Sequence, residues 1–230
     1  EIAGLSTAQI SNAIIKDNYQ AGISISSSSE SVGSFATIRD SEISGNQKDN
    51  DSNVWNGGGI NISGKESRLE LFNSSIFDNK GWHGGGVYVH KARTEIDSCD
   101  IYDNVALGNG GGIQFDQPLA PSIIKNSYIF KNQAKDNYGG GVGTLDSRAD
   151  LKIINCTIAQ NASNGDAGGV YWVDTDGATS AQLTLKNSIL WNNSSGNGTA
   201  WTEDDDGNIN RQFSDQITGD KIQYNIIQNL

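Results

Sequence analysis

The feature that most constrains the fold of this chain is a nine-position pattern that recurs at intervals of about 30 residues. Positions 0 and 5 are Ile or Leu, position 2 is usually Asn, position 3 is small and position 8 is Asn. Seven copies fit well, and an eighth, weaker copy ends at Asn229. Position 0 is Ile10, Ile38, Leu71, Ile96, Ile124, Ile153 and Leu185, position 5 is Ile15, Ile43, Ile76, Ile101, Ile129, Ile158 and Leu190, and position 8 is Asn18, Asn46, Asn79, Asn104, Asn132, Asn161 and Asn193. Repetition at this period indicates stacked units of one kind.

A glycine run that leads into Ile or Val forms the second repeated signature. It occurs at Gly57-Gly58-Gly59-Ile60, Gly84-Gly85-Gly86-Val87, Gly110-Gly111-Gly112-Ile113, Gly139-Gly140-Gly141-Val142 and Gly168-Gly169-Val170. Each run is predicted to open a short strand, because alternating apolar residues follow it. The alternation places Ile62, Val89, Phe115, Thr144 and Trp172 on the inner face. It places Asn61, Tyr88, Gln114, Gly143 and Tyr171 on the outer face.

The two signatures together predict an all-β fold, a right-handed parallel β-helix of about seven to eight coils with three short strands each. Neighbouring coils would stack about 4.8 Å apart. Asn at position 2 would bend the chain, because Asn tolerates left-handed backbone geometry. Aligned Asn side chains would hydrogen-bond along the stack as a ladder. A β-propeller or β-sandwich fits less well, because those folds favour antiparallel hairpins with tight turns.

Composition narrows the classes of partner. The net charge is -11 at pH 7, which opposes general binding to nucleic acid phosphates or to an anionic bilayer. No apolar run approaches the roughly 18 residues of a membrane-spanning helix, so direct membrane insertion is not expected. Residues 1–230 are expected to form a single β-helix domain that is a segment of a larger protein.

These motifs resemble the pectate-lyase-like right-handed β-helix repeat proteins, particularly the polymorphic outer-membrane-protein type with its GGG(I/V) repeats. The stretch from Asn187 to Asn193, followed by Ile222 to Ile227, is similar to the closing repeats of secreted proteins of the choice-of-anchor kind. The resemblance implies an extracellular or cell-surface location. It implies less about activity, because such proteins include adhesins, scaffolds, polysaccharide lyases and hydrolases.

Aromatic side chains beside the glycine runs are the candidate ligand-binding residues. A strip without bulky side chains, bordered by aromatic rings and sparse polar groups, is what a carbohydrate groove requires. The same aromatics would alternatively serve only to cap the edges of the coils. The candidates are Trp55, Trp82, His83, Tyr88, Gln114, Tyr138 and Tyr171. The hypothesis is a surface rod for adhesion, scaffolding or glycan contact, with a glycan or surface protein as partner.

The alternative function is a polysaccharide lyase or glycoside hydrolase. Its candidate catalytic residues lie at the ends of the glycine-led strands and are His90, Asp116, Asp146 and Asp174. Stacked coils would bring neighbours among them within about 5–7 Å, the range of paired carboxylates. Lys91, Arg93 and Arg148 lie nearby in the sequence. In a lyase they would supply the base or the positive charge that holds the substrate. Asp also favours turns for structural reasons, which is the competing explanation.

No cofactor is required by either hypothesis, although calcium would suit the acidic loop that contains Asp174 and Asp176. Neither this loop nor the one from Glu203 to Asp206 completes an EF-hand. The segment 194–220 is predicted to be a projecting acidic loop in which Trp201 folds back onto the rod. The coil edges at both ends are expected to contact flanking domains or neighbouring chains.

Cys99 and Cys156 both occupy position 3 of the repeat, two coils apart. Two coil spacings separate their Cα atoms by about 9.6 Å, which exceeds the roughly 7 Å limit for a disulfide. Each is therefore predicted to be a buried free thiol.

Overall fold

The computed structural model describes residues 6–27, 32–47, 55–118, 120–145, 150–173 and 182–196, together with the backbone of 2–3, 209–212, 221–223 and 226–228. The regular elements in these ranges are all β-strands, and every strand pairing is parallel. Within the same ranges no helix has the length and apolar character needed to cross a membrane. The fold is an all-β parallel solenoid.

Three eight-stranded sheets run along the rod, and each receives one strand per coil. The glycine-led sheet contains Ile2–Ala3, Ile23–Ser26, Ile60–Ser63, Val87–His90, Ile113–Asp116, Val142–Leu145, Val170–Val173 and Ile209–Gln212. The second sheet contains Thr7–Ser11, Phe35–Arg39, Arg68–Phe72, Arg93–Asp97, Ser122–Lys125, Leu151–Ile154, Leu183–Lys186 and Lys221–Gln223. The third sheet contains Ile14–Lys16, Glu42–Ser44, Ser75–Phe77, Asp100–Tyr102, Tyr128–Phe130, Thr157–Ala159, Ile189–Trp191 and Ile226–Gln228. The predicted fold class and approximate coil number are confirmed.

The register of the strands follows the repeat. Position 0 of one coil pairs with position 0 of the next, as Ile96 does with Leu71 and Ile124. Position 5 behaves in the same way, with Ile101 between Ile76 and Ile129. From the second copy to the seventh both columns are fully buried, and with the inner residues of the glycine-led sheet they form one continuous core.

A fourth sheet was not predicted from the sequence. Five coils contain an additional two-residue strand, and these strands are Lys80–Gly81, Val105–Ala106, Gln133–Ala134, Ala162–Ser163 and Ser194–Ser195. The prediction of three strands per coil is therefore incomplete. Two residues are too few to show an alternating pattern, and several of these are small or polar, so no sequence periodicity reveals them.

Two left-handed bends shape each coil. The predicted bend at position 2 is confirmed, with positive φ at Asn12, Asp40, Asn73, Ser98, Asn126, Asn155 and Asn187. A second bend at position 7, which the sequence analysis missed, has positive φ at Asp17, Gly45, Asp78, Asp103, Lys131, Gln160 and Asn192. Position 7 varies in residue type, so its shared backbone geometry is invisible in the sequence.

The predicted Asn ladder is present, but its continuous, buried form lies at position 8 rather than at the position 2 bend where the sequence analysis placed it. Each Nδ2 donates to Oδ1 of the Asn in the next coil, in six consecutive links of 2.8–3.0 Å from Asn18 to Asn193. The same Oδ1 also accepts a backbone N–H, and Nδ2 also donates to the position 5 carbonyl of the preceding coil, as Asn132 does to Ile101 at 2.9 Å. A shorter, exposed ladder links some position 2 residues, for example Asn155 to Asn126 at 3.1 Å.

Replacing Asn132 with Ala should strongly destabilise the rod. The substitution removes the acceptor of the buried Asn104 backbone N–H and the side-chain donor to the Ile101 carbonyl, and it breaks the ladder links to Asn104 and Asn161. We expect the free energy of unfolding to fall by about 3–5 kcal/mol, measured by urea denaturation. Asn126→Gly is the matched control, because it removes an exposed ladder residue and retains the left-handed bend; it should cost about 1 kcal/mol or less. Equal losses for the two variants would contradict the structural role assigned to the inner ladder.

The cysteines belong to the position 3 column, whose other members in the seven copies are Ala13 and four serines. Ser127 Oγ donates to the Lys125 carbonyl at 2.7 Å and accepts the Cys99 N–H at 3.1 Å. Cys99 Sγ makes the equivalent contact with the Asp97 carbonyl at 3.2 Å, so the thiol takes the place of a serine hydroxyl. Both cysteines are buried and free, as predicted. Burial raises the pKa of Cys99 to about 12 and that of Cys156 to about 11.

These raised pKa values predict thiols that do not react in the folded protein. The thiolate is the reactive form, and it is scarce near pH 8 when the pKa is far above that value. Iodoacetamide at pH 8 should therefore leave both cysteines unlabelled in the native protein and label both in urea, as followed by intact mass. Rapid labelling of the native protein, or a Cys99–Cys156 bond in the unreduced protein, would contradict this arrangement.

The segment 194–220 is not one continuous loop. Ser194–Ser195 is a strand of the fourth sheet, and Ile209–Gln212 pairs with Val170–Val173 in the glycine-led sheet. A single Gly207 precedes Ile209 in place of a glycine run, so the sequence analysis did not detect this strand. The predictions for Trp201 and for Glu203 to Asp206 lie outside the described residues.

Candidate functional site

The outer face of the glycine-led sheet carries an outer column, which consists of Asn61, Tyr88, Gln114, Gly143 and Tyr171. These residues face outward as predicted, yet Tyr88, Gln114 and Tyr171 are buried, Gln114 to 1% exposure. The cause is the glycine run. Gly110 has φ 64 and lies so close to the strand that a Cβ on it would be 2.8 Å from the Cα of Gln114. The turn therefore folds back over the strand that it opens.

This fold-back creates a second column from the residues directly before the turns. We call it the pre-glycine column, and its members are Asn56, His83, Asn109, Tyr138 and Asp166. Backbone bonds stack it coil on coil, as when Gly84 N donates to the Asn109 carbonyl at 3.0 Å and Gly110 N to that of Tyr138 at 3.0 Å. Each member lies five residues before a member of the outer column. The two columns together form the two-column patch.

Tyr88, His90 and Asp116 form the hydrogen-bonded centre of the patch. Tyr88 Oη donates to Asp116 Oδ2 at 2.7 Å, and His90 Nδ1 lies 3.1 Å from the same oxygen. Since an ionised carboxylate only accepts, His90 Nδ1 is the donor in this contact. The rings of Tyr88 and His90 are nearly parallel, with centroids 6.3 Å apart. Burial and the neighbouring Asp116 raise the pKa of Tyr88, so its hydroxyl remains protonated.

An aromatic row leads from this centre to the surface. His83 lies between Tyr88 and Trp82, with ring centroids 6.5 Å and 6.2 Å away. Trp82 is 47% exposed and Trp55 is 59% exposed. The two tryptophans lie on adjacent coils, and the backbone N–H of Trp82 donates to the Trp55 carbonyl at 3.0 Å. The row therefore ends in two large exposed aromatic side chains.

Tyr138 and Tyr171 extend the patch toward the later coils. Their rings stack with centroids 4.0 Å apart. Burial raises the pKa of both hydroxyl groups, and the Asn109 side chain forms a hydrogen bond with that of Tyr138. Five of the seven predicted ligand-binding residues, Trp82, His83, Tyr88, Tyr138 and Tyr171, are thus joined to Asp116 and His90 by hydrogen bonds or ring contacts. Gln114 lies beside Tyr88 in the strand register, and Trp55 adjoins the surface through the Trp82 backbone.

The sequence analysis missed Asn56 and Asn109, and it placed Asn61 on the outer face without proposing it as a ligand-binding residue. Asn56 Oδ1 accepts the backbone N–H of His83 at 3.3 Å, and the Asn56 side chain also hydrogen-bonds the Tyr88 hydroxyl. Asn109 and Asn61 each carry a buried side-chain oxygen in the patch. Each of the three has a fixed place relative to a glycine run. Asn56 and Asn109 directly precede a run, and Asn61 lies four residues after the first glycine of one. Asn is common throughout the chain, so this spacing alone did not identify them.

Only part of the predicted catalytic set falls within the described residues. His90 and Asp116 pair in register and contact each other. The residue in register with Asp116 on the next coil is Leu145, which leaves Asp146 one residue past that position. Asp146, Asp174 and Asp176 lie outside the described residues, so the carboxylate pairs and the calcium site remain predictions. Among the residues described, no three His, Cys, Asp or Glu side chains come together as a metal site.

Comparison with known proteins places this chain in a family. The family model for a right-handed beta helix region matches residues 1–211, and the chain belongs to that family. In comparisons with curated proteins and with solved structures, nothing matches the chain. The resemblance to β-helix repeat proteins is therefore confirmed at the level of the family, whereas its narrower surface-protein types remain expectations.

His83 should titrate below its ordinary pKa of about 6.5. Burial lowers its pKa, against a smaller opposing effect from Asp116, and its Nδ1 accepts the Asn109 N–H at 3.0 Å, which requires the unprotonated nitrogen. As pH falls below about 6.5, the unfolded chain binds a proton that the folded chain does not, so stability should decline until the pH reaches the folded pKa. NMR titration would measure this pKa directly. The chain has two histidines, so His83→Gln assigns the signals and should weaken this pH dependence. A His83 pKa at or above 6.5 would contradict the described contact.

Proposed function

We propose that this chain is a β-helix rod of an extracellular or cell-surface protein and that the two-column patch binds glycans. The observation that carries the proposal is the continuity between exposed Trp55 and Trp82 and the buried hydrogen-bonding groups around Tyr88. Sugar rings are recognised by stacking on aromatic faces while a few fixed polar groups contact their hydroxyls. The patch offers both kinds of contact on one rigid sheet.

The rigidity of the patch supports this proposal. Tyr88, Gln114 and Tyr171 are buried beneath turns whose glycines pack against backbone atoms. Asp116 holds both Tyr88 and His90. A preorganised site loses little conformational entropy when a ligand binds. By contrast, Phe77, Tyr102 and Phe130 on the third sheet stack face to face at 4.8 and 4.9 Å, so their ring faces contact one another.

Replacing Trp82 with Ala should reduce glycan affinity at least about tenfold, because it removes an exposed stacking face from the patch. A glycan array would identify a ligand, and isothermal titration would measure the loss. Tyr128→Ala is the matched control, because Tyr128 is a comparably exposed aromatic residue on the third sheet. The control should bind as the unaltered protein does. Equal losses for the two variants, or none for Trp82→Ala, would contradict the proposed location of the site.

The alternative function is a polysaccharide lyase or glycoside hydrolase, and the His90–Asp116 contact is the observation that favours it. A histidine and a carboxylate sharing a hydrogen bond at a partly exposed strand end can take part in acid–base chemistry. Glycoside hydrolysis ordinarily requires two carboxylates, and Asp116 supplies one of them. Incubation with neutral and uronate-containing glycans, with and without calcium, tests this alternative. Released reducing ends or unsaturated products that disappear with Asp116→Asn would establish an enzyme.

A further inference from the structure

Trp55 lies on a longer connection than Trp82 does. Ten residues, 47–56, separate the ladder Asn of its coil from the glycine run, whereas only four, 80–83, do so in the coil of Trp82. The short connection fixes Trp82 directly, because the fourth-sheet strand Lys80–Gly81 immediately precedes it. A residue on a longer connection loses more conformational freedom when it is ordered, so Trp55 needs an attachment of another kind.

The side chain of Gln47 supplies this attachment. Gln47 Oε1 accepts the backbone N–H of Trp55 at 2.9 Å, and Gln47 Nε2 donates to the Trp55 carbonyl at 3.2 Å. The same Nε2 lies 3.5 Å from the carbonyl oxygen of Gly57, where the glycine run begins. A side-chain amide offers the same kinds of donor and acceptor as a peptide unit. Gln47 therefore binds the backbone of Trp55 on both sides, as a neighbouring strand would.

Gln47 is itself held firmly in the rod. It directly follows Asn46 of the inner ladder, and its backbone N–H donates to the Asn18 carbonyl at 2.7 Å. Its backbone is left-handed, with φ 59, and the residue is only 2% exposed. The position of Trp55 is therefore tied to the ladder through one buried side chain.

The same contact sets the relation between the two exposed tryptophans. The Trp55 carbonyl that Gln47 binds also accepts the backbone N–H of Trp82 at 3.0 Å. Backbone pairing between coils holds equivalent residues about 4.8 Å apart. An indole that is 59% exposed adds little to the core, so the buried Gln47 contacts fix where Trp55 lies without burying its side chain.

We infer that Gln47 is a positioning residue of the glycan site and holds Trp55 beside Trp82 before a sugar binds. This inference rests on the proposed glycan-binding function and adds to it a residue that acts through Trp55 and contacts no glycan. A stacking residue that is already in place loses less conformational entropy when the ligand arrives. Loss of the Gln47 contacts should therefore weaken binding from beneath the surface.

The first measurement requires no glycan. Gln47→Met keeps the length of the side chain and removes its bonds to Trp55, so the Trp55 backbone N–H should exchange with solvent at least about tenfold faster, as followed by NMR. Gln47→Asn is the milder variant, because Asn tolerates a left-handed backbone but is one methylene shorter. It should give a smaller acceleration. Gln133→Met is the matched control, since Gln133 occupies the same repeat position within the fourth sheet, and it should leave the exchange unchanged.

The second measurement is a double-mutant cycle that asks whether Gln47 acts through Trp55. The probe is the oligosaccharide that gives the strongest signal on the glycan array, and affinities are measured by titration calorimetry. Gln47→Met should weaken binding about fivefold and Trp55→Ala at least about tenfold. In the Trp55→Ala background, Gln47→Met should change the affinity by less than about twofold, because no indole remains to be positioned. Gln133→Met should bind as the unaltered protein does.

The outcomes distinguish this inference from the proposed function. Unchanged exchange at Trp55 in both Gln47 variants would show that Gln47 does not hold this residue. Faster exchange with unaltered affinity, or an equal loss of affinity with and without the Trp55 indole, would overturn the positioning role and leave glycan binding established. If no glycan on the array binds, the proposed function and the role of Gln47 in it are wrong, and the exchange rates still decide whether Gln47 fixes Trp55.

Discussion

The structure depends on the inner Asn ladder. Each position 8 side chain bonds the next Asn, a backbone N–H of a neighbouring coil and the position 5 carbonyl, so one residue joins successive coils at the bend where the chain leaves the third sheet. The ladder also explains the third glycine of each run. A Cβ on Gly112 would lie 3.0 Å from Asn132 Nδ2, and one on Gly86 would lie 3.1 Å from Asn104 Nδ2. Asn and Gly therefore repeat together because they occupy the same space in neighbouring coils.

The candidate site is a consequence of this architecture. The left-handed first glycine returns the chain over the outer face of its strand, which buries Tyr88 and Gln114 on a face that would otherwise be open to solvent. Polar groups buried in this way must find partners, and several find them across coils, such as Tyr88 with Asp116.

The sequence identified most members of the site and few of their interactions. Tyr88, His83 and Tyr138 were predicted because aromatic residues beside glycine runs are conspicuous. Asn56 and Asn109 were not, because asparagine is common throughout the chain and its role depends on a turn that only the folded structure displays. Asp116 was predicted as one of a row of acidic candidates, whereas its bonds to Tyr88 and His90 depend on side-chain rotamers and on the register of two coils.

The amino-acid sequence by itself determined the repeat, the core columns, the bend at position 2, the ladder and the unpaired cysteines, because each follows from residues at fixed local spacing. The tertiary structure decided the fourth sheet, the second bend, the burial of the outer column and the distinction between satisfied and unsatisfied polar groups. The physical reason is one of range. Periodicity along a chain records which side chains face inward, whereas contacts between residues about 28 positions apart, such as Tyr88 and Asp116, exist only once the coils are stacked. The interactions of the patch therefore depend on the stacking of several coils and cannot be formed within a single repeat.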